Sequence, residues 1–247
     1  MTMPDNPGYH HRKGPICSKI RSLLISLANE PSKYDELAAK IEYWIEYVLR
    51  EQFATVDELV EGVSGVAWDS GGSSSVGQFF KEFRDAPHRS EQARSFAAQL
   101  FPYVLRWFSI AAVEDIWANF PSQSLLMRDA TSGFVRAASF VGYLIKWGLL
   151  AHELVKRHLI KPLINHNNNF NFDSYYRPQN SPEAVRANAI YKLFTAAEDT
   201  LLQGLLEPKD VQVCFGIFDT QREWITGFEP AKQQVHYLLM VISYIWA

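Results

Sequence analysis

The sequence predicts an all-α fold built from successive helix pairs. Apolar residues recur at steps of three and four in nearly every ordered stretch, and the strict alternation of a half-buried strand is essentially absent. Helix-start and helix-stop residues fall between the apolar stripes at short intervals, which makes consecutive helices antiparallel neighbours.

Ile16, Ile20, Leu23, Leu24 and Leu27 form the first stripe. Pro31 and Ser32 punctuate it, with Ser32 the expected N-cap of a second stripe through Tyr34, Leu37, Ala38, Ile41, Ile45 and Val48. Thr55 and Glu58 have capping-box spacing, in which each side chain satisfies the other residue's orphaned backbone N–H. A short helix through Leu59, Val60 and Val63 follows. The glycine- and serine-rich stretch 64–77 breaks the period and reads as a loop. Helices resume over Phe79–Phe83 and from about Ser90 to Phe120, where Pro102 is expected to kink or divide the longer one.

Residues 132–164, "SGFVRAASFVGYLIKWGLLAHELVKRHLIKPLI", open with a helix apolar almost all round. Arg136, Ser139, Gly142 and Lys146 form its one thin polar stripe, so neighbours are expected on most of its surface. Gly148 is placed to end it, before an amphipathic helix through Leu150, Leu154, Val155, Leu159 and Leu163. Residues 165–180 read as a long polar and aromatic loop. Ser181 followed by Pro182 is an N-cap with a first-turn proline, opening a helix through Ile190, Leu193, Phe194 and Ala197. Pro208 starts another, and "QVHYLLMVISYIWA" forms a last apolar helix.

The 247 residues suffice for a sizeable core, and 47% hydrophobic with 21% charged residues is globular composition. Net charge is −3 and the pI near 6.2, so no global basic field points to nucleic acid and any such contact needs a local patch. Two cysteines, Cys17 and Cys214, without Cys/His ligand spacing, fit a reducing compartment and argue against a zinc or disulfide framework. The N-terminal "MTMPDNPGYHHRKG" lacks the apolar core of a signal peptide and reads as a flexible arm over 1–14. Arg136 and Lys146 interrupt the longest apolar run, so no membrane span is expected, and the compartment is the cytoplasm, with the nucleus as alternative.

Catalytic readings fail on chemistry. "DSGG" at 69–72 is the tetrapeptide around a trypsin-like nucleophile, but that machinery belongs to a β-barrel with an oxyanion hole. Gly72 and Gly77 have phosphate-loop spacing, yet Gln78 and Phe79 stand where a lysine and a hydroxyl are needed. In "HELVKRH", His152 and His158 are six apart, whereas a zinc-binding helix needs four. No catalytic residue, metal or cofactor is expected. Asp69, Ser70, Gly71 and Ser74 do fit a doubly phosphorylatable Asp-Ser-Gly-x-x-Ser degron, making Ser70 and Ser74 candidate phosphorylation sites. Cys17 and the basic cluster His10, His11, Arg12, Lys13, Lys19 and Arg21 are further candidates, against a buried thiol and an exposed, frayed terminus.

The segment "FVRAASFVGYLIKWGLLAHELVKRHLIKPLI" resembles the third helix pair of MIF4G domains, the family of the middle domain of translation initiation factor 4G. "SKIRSLLISLANEPSKYDELAAKI" is similar to that family's opening pair, and "AIYKLFTAAEDTLLQGL" to its fourth-pair helix. The loop at 64–77, the insertion at 165–180 and "VCFGIFDTQREWITGF" depart from the family pattern. The resemblance implies a single domain over 15–247, a right-handed α-solenoid of about five HEAT-like pairs. It implies a non-catalytic scaffold in mRNA metabolism or translation, docking a DEAD-box RNA helicase or another mRNP protein, without DNA or membrane. If RNA is touched directly, Lys146, Lys156, Arg157 and Lys161 of the most basic hairpin are the candidates, against a merely solvated face. The alternative is a HEAT-like structural subunit of a complex unrelated to RNA.

Overall fold

The computed structural model describes residues 15–107, 125–155, 157 and 182–197. Among them every regular element is helical and no strand occurs. In chain order these are α1 Pro15–Asn29, α2 Tyr34–Arg50, α3 Val56–Ser64, α4 Val66–Asp69, α5 Ser74–Asp85, α6 Glu91–Trp107, α7 Leu125–Lys146, α8 His152–Val155 and α9 Pro182–Ala197. The arm 1–14, the loop 165–180 and everything after Ala197 lie outside the described residues.

The predicted stripes are the core. Ile20, Leu24 and Leu27 of α1 are buried against Leu37, Ile41, Ile45, Val48 and Leu49 of α2. The two helices run antiparallel, since Lys19 near the start of α1 lies over Trp44 toward the end of α2. Helices α5 and α6 are also antiparallel, with Phe80 edge-on to Phe101 and Phe83 edge-on to Phe96. Helix α9 packs along α7. The capping box is present as expected: Glu58 N–H donates to Thr55 Oγ1 at 3.2 Å and Thr55 N–H to Glu58 Oε2 at 2.9 Å. Gly148 ends α7 with φ 65°, Gly148 N–H donating to the Ile145 carbonyl and Leu149 N–H to that of Leu144.

Four expectations are corrected. Stretch 64–77 is not one loop: the end of α3, α4 and the first turn of α5 occupy it, leaving only the turn residue Gly65 and residues 70–73 outside helices. Val66, Ala67 and Val76 are fully buried, and Ser73 caps α5 by accepting from Val76 N–H, so burial outweighs the loop-like composition. Ser32 is not an N-cap, because winding begins one residue earlier in a 3-10 turn at Pro31–Lys33 and α2 starts after Lys33. Pro102 does not divide α6, being exposed while Leu100, Phe101, Val104 and Leu105 anchor both sides of it in the core. Gly142 belongs to no polar stripe; it is buried against α9, where an added Cβ would meet the Leu193 carbonyl oxygen.

Candidate functional site

Helix α2 buries one face, and its opposite face carries aromatic rings. Tyr43, Tyr47 and Arg50 follow one another at steps of four and three on the side away from Ile41, Ile45 and Val48. The Tyr43 and Tyr47 rings are stacked, with centroids 5.7 Å apart and planes 11° apart. Trp44 stands edge-on to both, at 82° and 89°. Phe53 joins the far end, 5.5 Å from Tyr47.

A strained turn delivers Phe53 there. Helix α2 closes with Gln52 N–H donating to the Leu49 carbonyl and Phe53 N–H to that of Val48. That motif needs a left-handed residue, and Gln52 supplies it at φ 56° where glycine is usual. Among the described residues the large exposed hydrophobics are Tyr43 at 57%, Phe53 at 58% and Leu154. Two of these three meet through one ring, Tyr47. Scattered exposed apolar residues need no explanation, whereas a contiguous cluster of rings does.

Two cations flank the rings. The Lys19 ammonium sits 3.9 Å from the Trp44 ring centroid, and the Arg50 guanidinium 6.0 Å from that of Tyr47. Arg50 Nε also donates to Glu51 at 3.0 Å. The face is therefore aromatic at its centre and cationic at its edges.

The candidates read from sequence are placed as follows. Ser70 is half-buried, its hydroxyl donating to the Val66 carbonyl at 3.0 Å and accepting from Gly72 N–H at 3.1 Å. Asp69 pairs with Arg21, and Ser74 is the half-buried first residue of α5. The degron-like stretch is thus a folded turn. Both glycines of the phosphate-loop spacing face α7 and the turn after it: a Cβ on Gly72 would stand 2.5 Å from the Phe140 ring, and one on Gly77 2.3 Å from Trp147 Cδ1. Close packing, not an open cradle, explains those glycines.

Lys19 and Arg21 of the N-terminal basic cluster belong to α1 and are engaged with Trp44 and Asp69; the earlier members lie outside the described residues. Cys17 is buried, and burial, then the neighbouring Glu58 charge, push its thiol above the ordinary value, the reverse of a reactive thiolate. Lys146 is half-buried in the last turn of α7 and Arg157 is exposed, while Lys156 and Lys161 lie outside the described residues. His152 falls in α8, and His158 lies outside. Among the described residues no group of three or more His, Cys, Asp or Glu is placed to hold a metal ion. No described helix is long and apolar enough to cross a membrane.

The aromatic face was not among the sequence candidates. Its signal was present in "EYWIEYVLR": with Ile41, Ile45 and Val48 assigned to the core, Tyr43 and Tyr47 must point outward. Comparison of the chain with protein-family models, curated proteins and solved structures finds no match.

Proposed function

We propose that the chain is a non-catalytic, protein-binding scaffold acting in mRNA metabolism or translation, with a DEAD-box RNA helicase or another mRNP protein as its partner. The observation that carries the protein-binding part is the outward face of α2, where Tyr43, Trp44, Tyr47 and Phe53 form one contiguous cluster. Aromatic residues with an arginine at the edge are the side chains enriched at protein interfaces. The mRNA part rests on the resemblance of the segments around α1, α2, α7 and α9 to MIF4G domains. On that reading the helix pairs continue as a right-handed solenoid, and the scaffold biases a two-lobed helicase toward its productive arrangement.

The test uses the purified chain as bait in cytoplasmic extract, with and without RNase. The expected result is retention of a DEAD-box helicase or translation factors after RNase. Retention of one RNA-free, unrelated complex replaces the reading with that of a HEAT-like structural subunit. Material lost entirely on RNase treatment shifts the binding to RNA, with Lys146, Lys156, Arg157 and Lys161 as the first residues to substitute.

A further inference from the structure

The α2 face narrows the chemistry of what it binds, an inference that rests on the protein-binding reading above. Its apolar extent is small. With Tyr43 and Phe53 more than half exposed and Trp44 and Tyr47 half-buried, the rings offer about 350 Å² at the usual areas of such side chains. Each partner of a stable complex of folded proteins contributes about 800 Å². The face is therefore too small to hold a second copy of this chain by itself and is matched to a short segment.

Its polar chemistry excludes a nucleic-acid strand as the favoured occupant. Lys19 and Arg50 are the two flanking cations, and the exposed Arg50–Glu51 pair is weak enough for Arg50 to exchange Glu51 for a partner's anion. A phosphate backbone carries a charge on every nucleotide and needs a longer row of cations to hold it. Two cations at the edges of an aromatic centre instead suit a segment with a few carboxylates.

Its shape points to an extended chain containing proline. Tyr43 and Tyr47 present parallel rings, Trp44 stands across them as a wall, and Phe53 closes one end. Proline rings lie flat against such surfaces, and a polyproline II segment loses little entropy on binding because it is already extended. Its backbone carbonyls make no internal hydrogen bonds, so the tyrosine hydroxyls of the face can donate to them. We infer that the Tyr43–Trp44–Tyr47–Phe53 face, edged by Lys19 and Arg50, binds a short, extended, acidic proline-containing segment of a partner protein.

The experiment is selection of a random dodecapeptide phage library on the full chain, followed by fluorescence anisotropy with the most enriched peptide. Peptides holding proline together with Asp or Glu are expected to dominate. Tyr43→Ala, at an exposed position, should weaken the selected peptide about tenfold or more, as removal of an aromatic anchor does. Arg50→Glu should weaken it severalfold at low salt with the helical circular dichroism unchanged. Four results overturn the inference: no peptide enriched over a Tyr43→Ala control; enriched peptides that are basic or lack proline; binding of a uridine-rich single strand that Tyr43→Ala abolishes; or a dimer in sedimentation that Tyr43→Ala dissociates. Helicase retention from extract is scored separately. Its loss alongside a selected acidic proline peptide overturns only the mRNA reading, and its persistence without any selected peptide overturns only the inference about α2.

Discussion

Gly142 of α7 lies so close to Leu193 of α9 that a Cβ added to it would stand 2.5 Å from the Leu193 carbonyl oxygen. It would also stand 2.7 Å from the Ala196 Cβ and 3.1 Å from the Ala197 nitrogen. Two of these three atoms are backbone, so no rotamer change relieves the clash. Gly142→Ala must push the helices apart, and overpacking of this kind costs about 1–3 kcal/mol. Urea unfolding should show a lower midpoint with the slope unchanged; a midpoint equal to wild type would contradict the packing of α9 on α7.

Two helix ends use the same hydrogen-bond pattern with different residues at the left-handed position, Gln52 at φ 56° and Gly148 at φ 65°. A side chain there crowds the following carbonyl, which glycine avoids. Gln52→Gly should therefore stabilise the fold by about 0.5–1 kcal/mol, and Gly148→Ala should destabilise it by about 1 kcal/mol although nothing lies within 4 Å of the added Cβ. Thermal melts of both variants test the pair. Equal signs would refute the assignment.

The Arg89 side chain is buried, bonded to Glu42 and stacked 4.6 Å over the Phe83 ring. The hydrogen bond from Arg89 holds the Glu42 carboxyl below its ordinary value; burial opposes this, and the Arg89 and His88 charges add to it. Because the folded value lies below the unfolded one, the stabilisation is complete above about pH 4.5 and is lost as pH falls through the folded value. Glu42→Gln should cost about 1–2 kcal/mol at pH 7, a figure reduced because Glu42 is 37% exposed. The cost should shrink as pH falls from 4.5 through the lowered folded value, where wild-type Glu42 takes up its proton as well. A pH-independent difference in unfolding free energy would argue against the pair.

Thr55 both accepts from Glu58 N–H and is held by the Glu58 carboxylate on its own N–H. Thr55→Ala removes the first of these and should destabilise by about 1 kcal/mol, whereas Thr55→Ser should be nearly neutral. Chemical denaturation of the two variants separates a lost cap from a lost methyl contact.

Cys17 lies under Gly62 of α3, whose added Cβ would meet the Cys17 Cβ at 2.8 Å. With its thiol buried and pushed up, Cys17 should resist iodoacetamide at pH 7.5 in the native protein and react promptly in urea. Gly62→Ala should speed native alkylation by loosening α1 from α3. Rapid labelling of the wild type at this position would show that the α1–α3 contact is open in solution.

The stripes of α1 and α2, the Thr55–Glu58 box, the stop at Gly148 and the start at Pro182 were legible because each depends on residues within one or two turns. Stretch 64–77 was misread for the opposite reason. Its glycines and serines look locally like a loop, yet Val66, Ala67 and Val76 are buried by helices distant in sequence. The aromatic face of α2 was half legible: periodicity puts Tyr43 and Tyr47 outward, but Phe53 joins them only through the turn at Gln52.

By itself the sequence determined that this protein is helical, where several of its helices start and stop, and which residues of each form the apolar side, since propensity, capping and periodicity act over a few residues. The tertiary structure decided what the glycines are for, why a buried arginine at 89 is tolerated, and which exposed rings share one surface. Those are properties of contacts between segments tens of residues apart. Close approach, desolvation and adjacency exist only once the helices have packed.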